Sequence, residues 1–155
     1  MSGKKFYITT AIAYPNWKPH IGHALEIIIA DTIVRMYRMA WKNVEFQTWT
    51  DEHGIKNRRT AQKEHKEIKE FLDGNVEWEW WFKDMYRQLK ISNDQFLRTS
   101  DQAQHYKWAQ LLWQKMAEKW DIYKQSYKWL YCAWCESFKT EKDLEYKLQY
   151  QVNLQ

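Results

Sequence analysis

The chain has 155 residues, of which 45% are hydrophobic and 28% charged, with a net charge of +4. That is length for one domain, or one and a fragment, with enough apolar residues for a real core, which excludes a disordered chain. No apolar run approaches the roughly 20 residues of a membrane span, the N-terminal Met-Ser-Gly-Lys-Lys-Phe lacks the apolar centre of a signal peptide, and two cysteines do not make a disulfide framework. The expectation is a cytoplasmic, reduced protein, without a membrane or DNA partner, whose mild positive charge permits contact with RNA.

Phe6 to Thr10 reads as a buried strand. Ala11 to Lys18 is a loop, and Pro19 suits the first turn of a helix. That helix runs from about Ala24 to Met39, with Ile21, Leu25, Ile28, Ile29, Ile33, Met36 and Tyr37 at helical spacing. Val44 to Trp49 alternates like a second strand, and Ile55 to about Lys69 is a charged helix whose Lys56, Arg58, Arg59 and Lys63 form a solvated face. Phe71 to Leu89 is helical, with Trp78, Trp81, Phe82, Met85, Tyr86 and Leu89 as a packing stripe. Gln95 to Thr99 is a short third strand, after which Ser100 or Asp101 caps a helix to about Lys119. Strands alternating with helices imply an α/β fold with a parallel sheet and crossover helices. Beyond Trp120 the texture changes to short polar and aromatic segments, which puts a boundary near residue 120.

Three motifs carry chemistry. His20-Ile21-Gly22-His23 lies between the first strand and its helix. A glycine allows close approach of a ligand, a helix N-terminus attracts anions, and two imidazoles can donate to phosphate oxygens. The alternative is a helix cap with exposed histidines. Thr50-Asp51-Glu52-His53-Gly54 follows the second strand, where open α/β sheets bind ligands. Asp51 could hold an ammonium group and Gly54 would let a backbone approach; the alternative is a polar turn. Cys132 and Cys135 form one Cys-x-x-Cys pair, half of the four ligands that a structural zinc needs.

Together these segments resemble the amino-terminal part of methionyl-tRNA synthetases, a class I aminoacyl-tRNA synthetase family, from about Lys5 to Leu144. The resemblance rests on Phe6 to Thr10, Tyr14-Pro15-Asn16, Pro19 to His23, Ala30-Asp31, Thr50 to Gly54, Phe96 to Thr99, Leu112 to Lys115, Asp121-Ile122-Tyr123, Tyr131-Cys132, Cys135-Glu136 and Thr140 to Lys142. It implies residues 1–120 as the first half of a Rossmann-type catalytic domain and 121–155 as the start of a connective, zinc-knuckle insertion. The implied activity is ATP-dependent activation of methionine to methionyl-adenylate and transfer to tRNA. His20 and His23 would be catalytic and, with Gly22, would bind ATP. Ala11, Ile12, Tyr14 and Asp51 would bind methionine. Magnesium would accompany ATP, and Cys132 and Cys135 would belong to a zinc site in the longer protein. Two other readings stay open: a non-catalytic synthetase fragment, and a small adenylyltransferase sharing the His-x-Gly-His signature.

The chain departs from the family in two ways. The second half of the nucleotide-binding fold and the Lys-Met-Ser-Lys-Ser loop are not in it, so the expectation is weak ATP binding and no aminoacylation by these residues alone. Tryptophan also stands where the family typically carries glycine, at Trp17, Trp41, Trp49, Trp120, Trp129 and Trp134, in a chain with 4 glycines and 11 tryptophans. Typical glycine usage is about 7%. The expectation is that these are UGA codons which the source reads as glycine; Trp113 matches a family tryptophan.

Overall fold

The computed structural model describes residues 5–40, 42–126, 130–132 and 135–139. Trp41, Trp129, Trp134 and the stretch from Thr140 onward lie outside the described residues. The chain divides into two compact units, residues 1–113 and 114–155.

The first unit is built on a parallel three-stranded sheet in the order β1 (Phe6–Thr9), β2 (Val44–Thr50), β3 (Gln95–Arg98). Phe6 sits opposite Val44, and Gln47 opposite Gln95. Parallel neighbours require long crossovers. Helix α1 (Ile21–Met39) makes the first; α2 (Ile55–Lys63), α3 (Ile68–Glu77) and α4 (Phe82–Gln88) make the second. The α/β class and parallel sheet expected from the sequence are therefore present. Because the strands are parallel, the loops after β1, β2 and β3 emerge at one end of the sheet.

The main core joins Ile27, Ala30 and Val34 of α1 to Val44 and Phe46 of β2, with Phe6, Ile8, Tyr37, Met85, Tyr86 and Ile91 packed around them. A smaller cluster of Ala61, Phe71 and Leu72 lies between α2 and α3. Strand β1 is half-buried rather than buried, because β2 flanks it on one side and only Phe6 and Ile8 turn toward the core. The expected apolar face of α1 also needs correction. Ile27, Ala30, Asp31 and Val34 are the buried residues, whereas Ile21, Leu25, Ile28, Ile29 and Met36 are exposed, Ile21 by 85%. This helix is apolar on most of its circumference, so periodicity could not say which stripe meets the sheet.

Helix boundaries moved where the backbone turns left-handed. The single helix expected to about Lys69 ends at Lys63, and His65 follows at φ 54°. The expected Phe71–Leu89 helix is interrupted between Glu77 and Phe82, with Trp80 at φ 67°. Of the expected aromatic stripe, Phe82 is buried and Trp81, Met85 and Tyr86 half-buried, but Trp78 and Leu89 are exposed. Trp78 instead lies over Gly74, where an added Cβ would come within 3.1 Å of the indole. Pro19 precedes the helix rather than entering it, because His20 is the N-cap. Asp101 is the capping residue after β3: its carboxylate accepts from the Ala103 and Gln104 amides at 2.8 and 3.2 Å. A π-helical turn, Gln102–Tyr106, then leads into α5 (Lys107–Glu118).

In the second unit, the end of α5 closes with a Schellman motif. The Trp120 amide donates to the Ala117 carbonyl at 3.1 Å and the Asp121 amide to Met116 at 3.0 Å. Trp120 occupies the left-handed position at φ 61° and is 84% exposed. Glycine is the usual residue there, since a Cβ is disfavoured in that conformation. Strands β4 (Leu130–Cys132) and β5 (Ser137–Lys139) form an antiparallel pair.

Candidate nucleotide and amino-acid site

The His20–His23 turn is a capping box made of two imidazoles. His20 Nδ1 accepts from the Gly22 amide at 3.1 Å, and His23 Nδ1 accepts from the His20 amide at 3.2 Å. A nitrogen that accepts cannot carry the proton, so each neutral ring holds its hydrogen on Nε2. The turn thus fixes a tautomer whose donor is the opposite ring nitrogen. The two rings lie 4.1 Å apart, and the edge of Phe82 packs against His23 at 5.4 Å. Burial, and then the nearby His20, hold the His23 pKa below its ordinary value, against an opposing pull from Glu26. Gly22 is required by this arrangement: a Cβ there would lie 2.9 Å from His20 Cε1. The immediate neighbour of Gly22 is the imidazole of His20.

The loop after β1 is held from several sides. The Ala11 amide donates to Glu26 of α1 at 2.6 Å, which ties this loop to the helix that carries His23. Ala13 bridges Thr50, and its carbonyl accepts the Asp51 amide at 2.8 Å. The buried Asn75 of α3 donates to the Pro15 carbonyl at 2.6 Å. The Lys56 ammonium stands 5.7 Å from the centre of the Tyr14 ring, so Lys56 leaves the solvated face assigned to it, while Arg58, Arg59 and Lys63 stay exposed. Ala11, Ile12, Tyr14 and Asp51 are thereby gathered at the same end of the sheet.

After β2, alternate residues turn opposite ways. Thr50 and Glu52 are buried; Asp51 is half-buried and His53 exposed. Asp51 accepts the His53 amide at 3.2 Å. Gly54 takes φ 105° as the chain enters α2, a conformation that side chains rarely adopt. Asn57, fully buried, donates to the carbonyls of Asp51 and His53 at 3.0 and 3.1 Å. Glu26, Asn57 and Asn75 were missed from sequence. Each is an ordinary polar helix residue whose role comes from a partner outside its own helix.

A cavity of about 460 Å³ opens on the other side of this loop, lined among others by Glu52, Arg58, Lys69, Arg98 and Tyr106.

In the second unit, Cys132 and Cys135 have their sulfurs 3.2 Å apart, and the Cys135 amide donates to Cys132 Sγ at 3.4 Å. A structural zinc takes four ligands. Among the described residues no group of three or more His, Cys, Asp or Glu is placed to hold a metal. Among the described residues the two thiols could supply two of those four ligands. No helix among the described residues is long and apolar enough to cross a membrane.

A sequence model of the family described as tRNA synthetases class I (M) matches residues 6–149. The chain is 46% identical over 145 residues to a methionine–tRNA ligase of Brucella melitensis, and 45% identical over 141 residues to one of Caldanaerobacter subterraneus. These matches cover 94% and 91% of this chain but 27% and 22% of those relatives, so it spans about a quarter of their length. Among solved structures, it resembles Mycobacterium tuberculosis methionyl-tRNA synthetase in complex with methionyl-adenylate, with a TM-score of 0.83 and 39% identity over 90% of this chain and 26% of that one. By the family match across nearly all of its length and by these relatives, the chain belongs to the methionine-type class I tRNA synthetases.

Proposed function

We propose that this chain supplies the ATP and methionine contacts of the first half of a methionine–tRNA ligase. Residues 1–120 are read as the first half of the catalytic domain and 121–155 as the start of the connective insertion. The observation that carries the reading is the linkage at one end of the sheet. Ala11 is bonded to the helix of His23 through Glu26, and Ala13 is bonded to Asp51. Phosphate donors and an ammonium acceptor thus belong to one connected frame.

In the proposed reaction the methionine carboxylate attacks the α-phosphorus of ATP. The new bond joins a carboxylate oxygen to that phosphorus; the bond to the β-phosphate oxygen breaks, and pyrophosphate leaves. Asp51 pairs with the methionine ammonium and fixes where the carboxylate lies. His20 and His23 donate from Nε2 to phosphate oxygens as charge develops, and their tautomer is preset by the turn. Catalysis is positioning and electrostatics, with no covalent enzyme intermediate. Magnesium enters as the companion of ATP, tRNA is the acceptor in the whole ligase, and Cys132 and Cys135 would contribute two ligands to a zinc knuckle.

The test is ATP–pyrophosphate exchange by the polypeptide in which these residues continue into the remainder of the synthetase. Exchange should depend on methionine and be lost in His20→Ala and Asp51→Ala. Exchange that follows another amino acid, or survives both changes, overturns the proposal. The 155-residue chain alone, about a quarter of the length of its relatives, should show no exchange at the family's level.

A further inference from the structure

The Glu52 carboxylate is the most enclosed charge beside the proposed methionine site. Its side chain is 0% exposed, and that of its partner Arg98 only 19%. Arg98 donates from Nε to Glu52 Oε1 at 2.6 Å and from Nη2 to Oε2 at 3.0 Å. The Thr50 hydroxyl donates to the same carboxylate at 2.8 Å, and the Ser100 hydroxyl also bonds it. The Glu52 amide donates to the Thr99 hydroxyl at 2.7 Å. Arg98 reaches on to Asp73 of α3 at 2.7 Å, and its charge is held firmly, the pull of Glu52 and Asp73 outweighing burial.

The bonds made by Thr50 and Glu52 hold the residues either side of Asp51. Three of the four partner residues, Arg98, Thr99 and Ser100, come from β3 and the residues just after it, 46 to 48 positions away. A buried ion pair is weak evidence for stability, because an apolar pair of similar volume is often as good; its best attested use is to fix a register. Here the register concerns which way the loop faces. If the backbone rotated at Thr50–Glu52, Glu52 would turn out and Asp51 in.

We propose that the Glu52–Arg98 pair is the positioning element of the methionine site: it holds the Thr50–His53 backbone so that Asp51 presents its carboxylate outward. Neither residue touches methionine. The inference rests on the reading of Asp51 as the ammonium ligand.

The experiment is equilibrium dialysis of the polypeptide in which these residues continue into the remainder of the synthetase against radiolabelled methionine, with ATP binding measured in parallel. The variants are Glu52→Gln, which keeps the shape and removes the charge, and Arg98→Lys, which keeps the charge and loses the paired geometry. Glu52→Gln/Arg98→Met removes both charges together. All three should weaken methionine binding about tenfold or more, as expected for a displaced binding group, and leave ATP binding unchanged. Amide exchange at Asp51 and His53 should quicken in the same variants. Equal losses for methionine and ATP would mean a merely structural pair and overturn the inference, as would unchanged methionine binding in folded variants. If the unaltered chain binds ATP but not methionine, the reading of Asp51 fails, and the inference with it.

Discussion

The two loops that carry the proposed chemistry are built in opposite ways. The His20–His23 turn is assembled from residues two and three apart, bonded to one another at the exposed start of a helix. The Thr50–Gly54 loop is bonded to Ala13, Arg98, Thr99 and Ser100, all distant in sequence, and has a buried charge inside it. Under the proposed function, phosphate recognition is local, while amino-acid recognition depends on the sheet being correctly closed. Damage to the second loop should therefore cost folding as well as binding, whereas damage to the first should cost mainly binding.

The largest expected effect comes from leaving Glu52 without its partner. Arg98→Met should destabilise the chain by about 3–5 kcal/mol, since it strands a buried carboxylate. Urea denaturation measures this, and Glu52→Gln/Arg98→Met should recover much of the loss. A single substitution costing well under 1 kcal/mol would put the two loops on the same footing. On the other side, His20→Ala should cost only about 1 kcal/mol, the worth of a cap. His20→Asn should restore the cap without restoring the outward donor, so stability returns and ATP binding does not. Recovery of both would remove the role given to Nε2.

Trp120→Gly should raise stability by about 1 kcal/mol, by relieving a side chain in the left-handed position of the α5 terminus. Peptide mass spectrometry of the protein from its own source should find glycine, not tryptophan, at Trp17, Trp49 and Trp120. Tryptophan at all three, encoded by UGG, would refute the recoding of UGA. The smallest effect concerns pH. The His23 pKa lies below the ordinary 6.5, so the unfolded chain binds more protons there as pH falls. Stability from this group is present above about 6.5 and is lost as pH drops through the folded value. The thermal midpoint should fall on acidification across that window, and His23→Gln should flatten the dependence.

The strands and the parallel sheet were legible because β1, β2 and β3 are short apolar or alternating runs separated by helical periodicity. The helix breaks at His65 and Trp80 were not, because a bulky residue such as Trp80 rarely turns left-handed and His65 stands in a charged run with no glycine or proline to mark the break. The buried stripe of α1 could not be chosen from a helix apolar on several sides. Asp31 shows the same limit. It stands in the sequence as one acid in an apolar helix, but the fold brings the Ser92 amide and hydroxyl and Arg35 to it, and their hydrogen bonds hold its pKa low against burial.

What the sequence determined by itself was the His20-Ile21-Gly22-His23 turn, whose hydrogen bonds lie within one helical turn, and the family to which its spacing from Asp51 points. What only the tertiary structure decided was which way Asp51 and Glu52 face. Adjacent residues in extended chain point to opposite sides, and nothing local chooses between two acids. The choice was made by Arg98 and Thr99, arriving on a neighbouring strand and the turn after it.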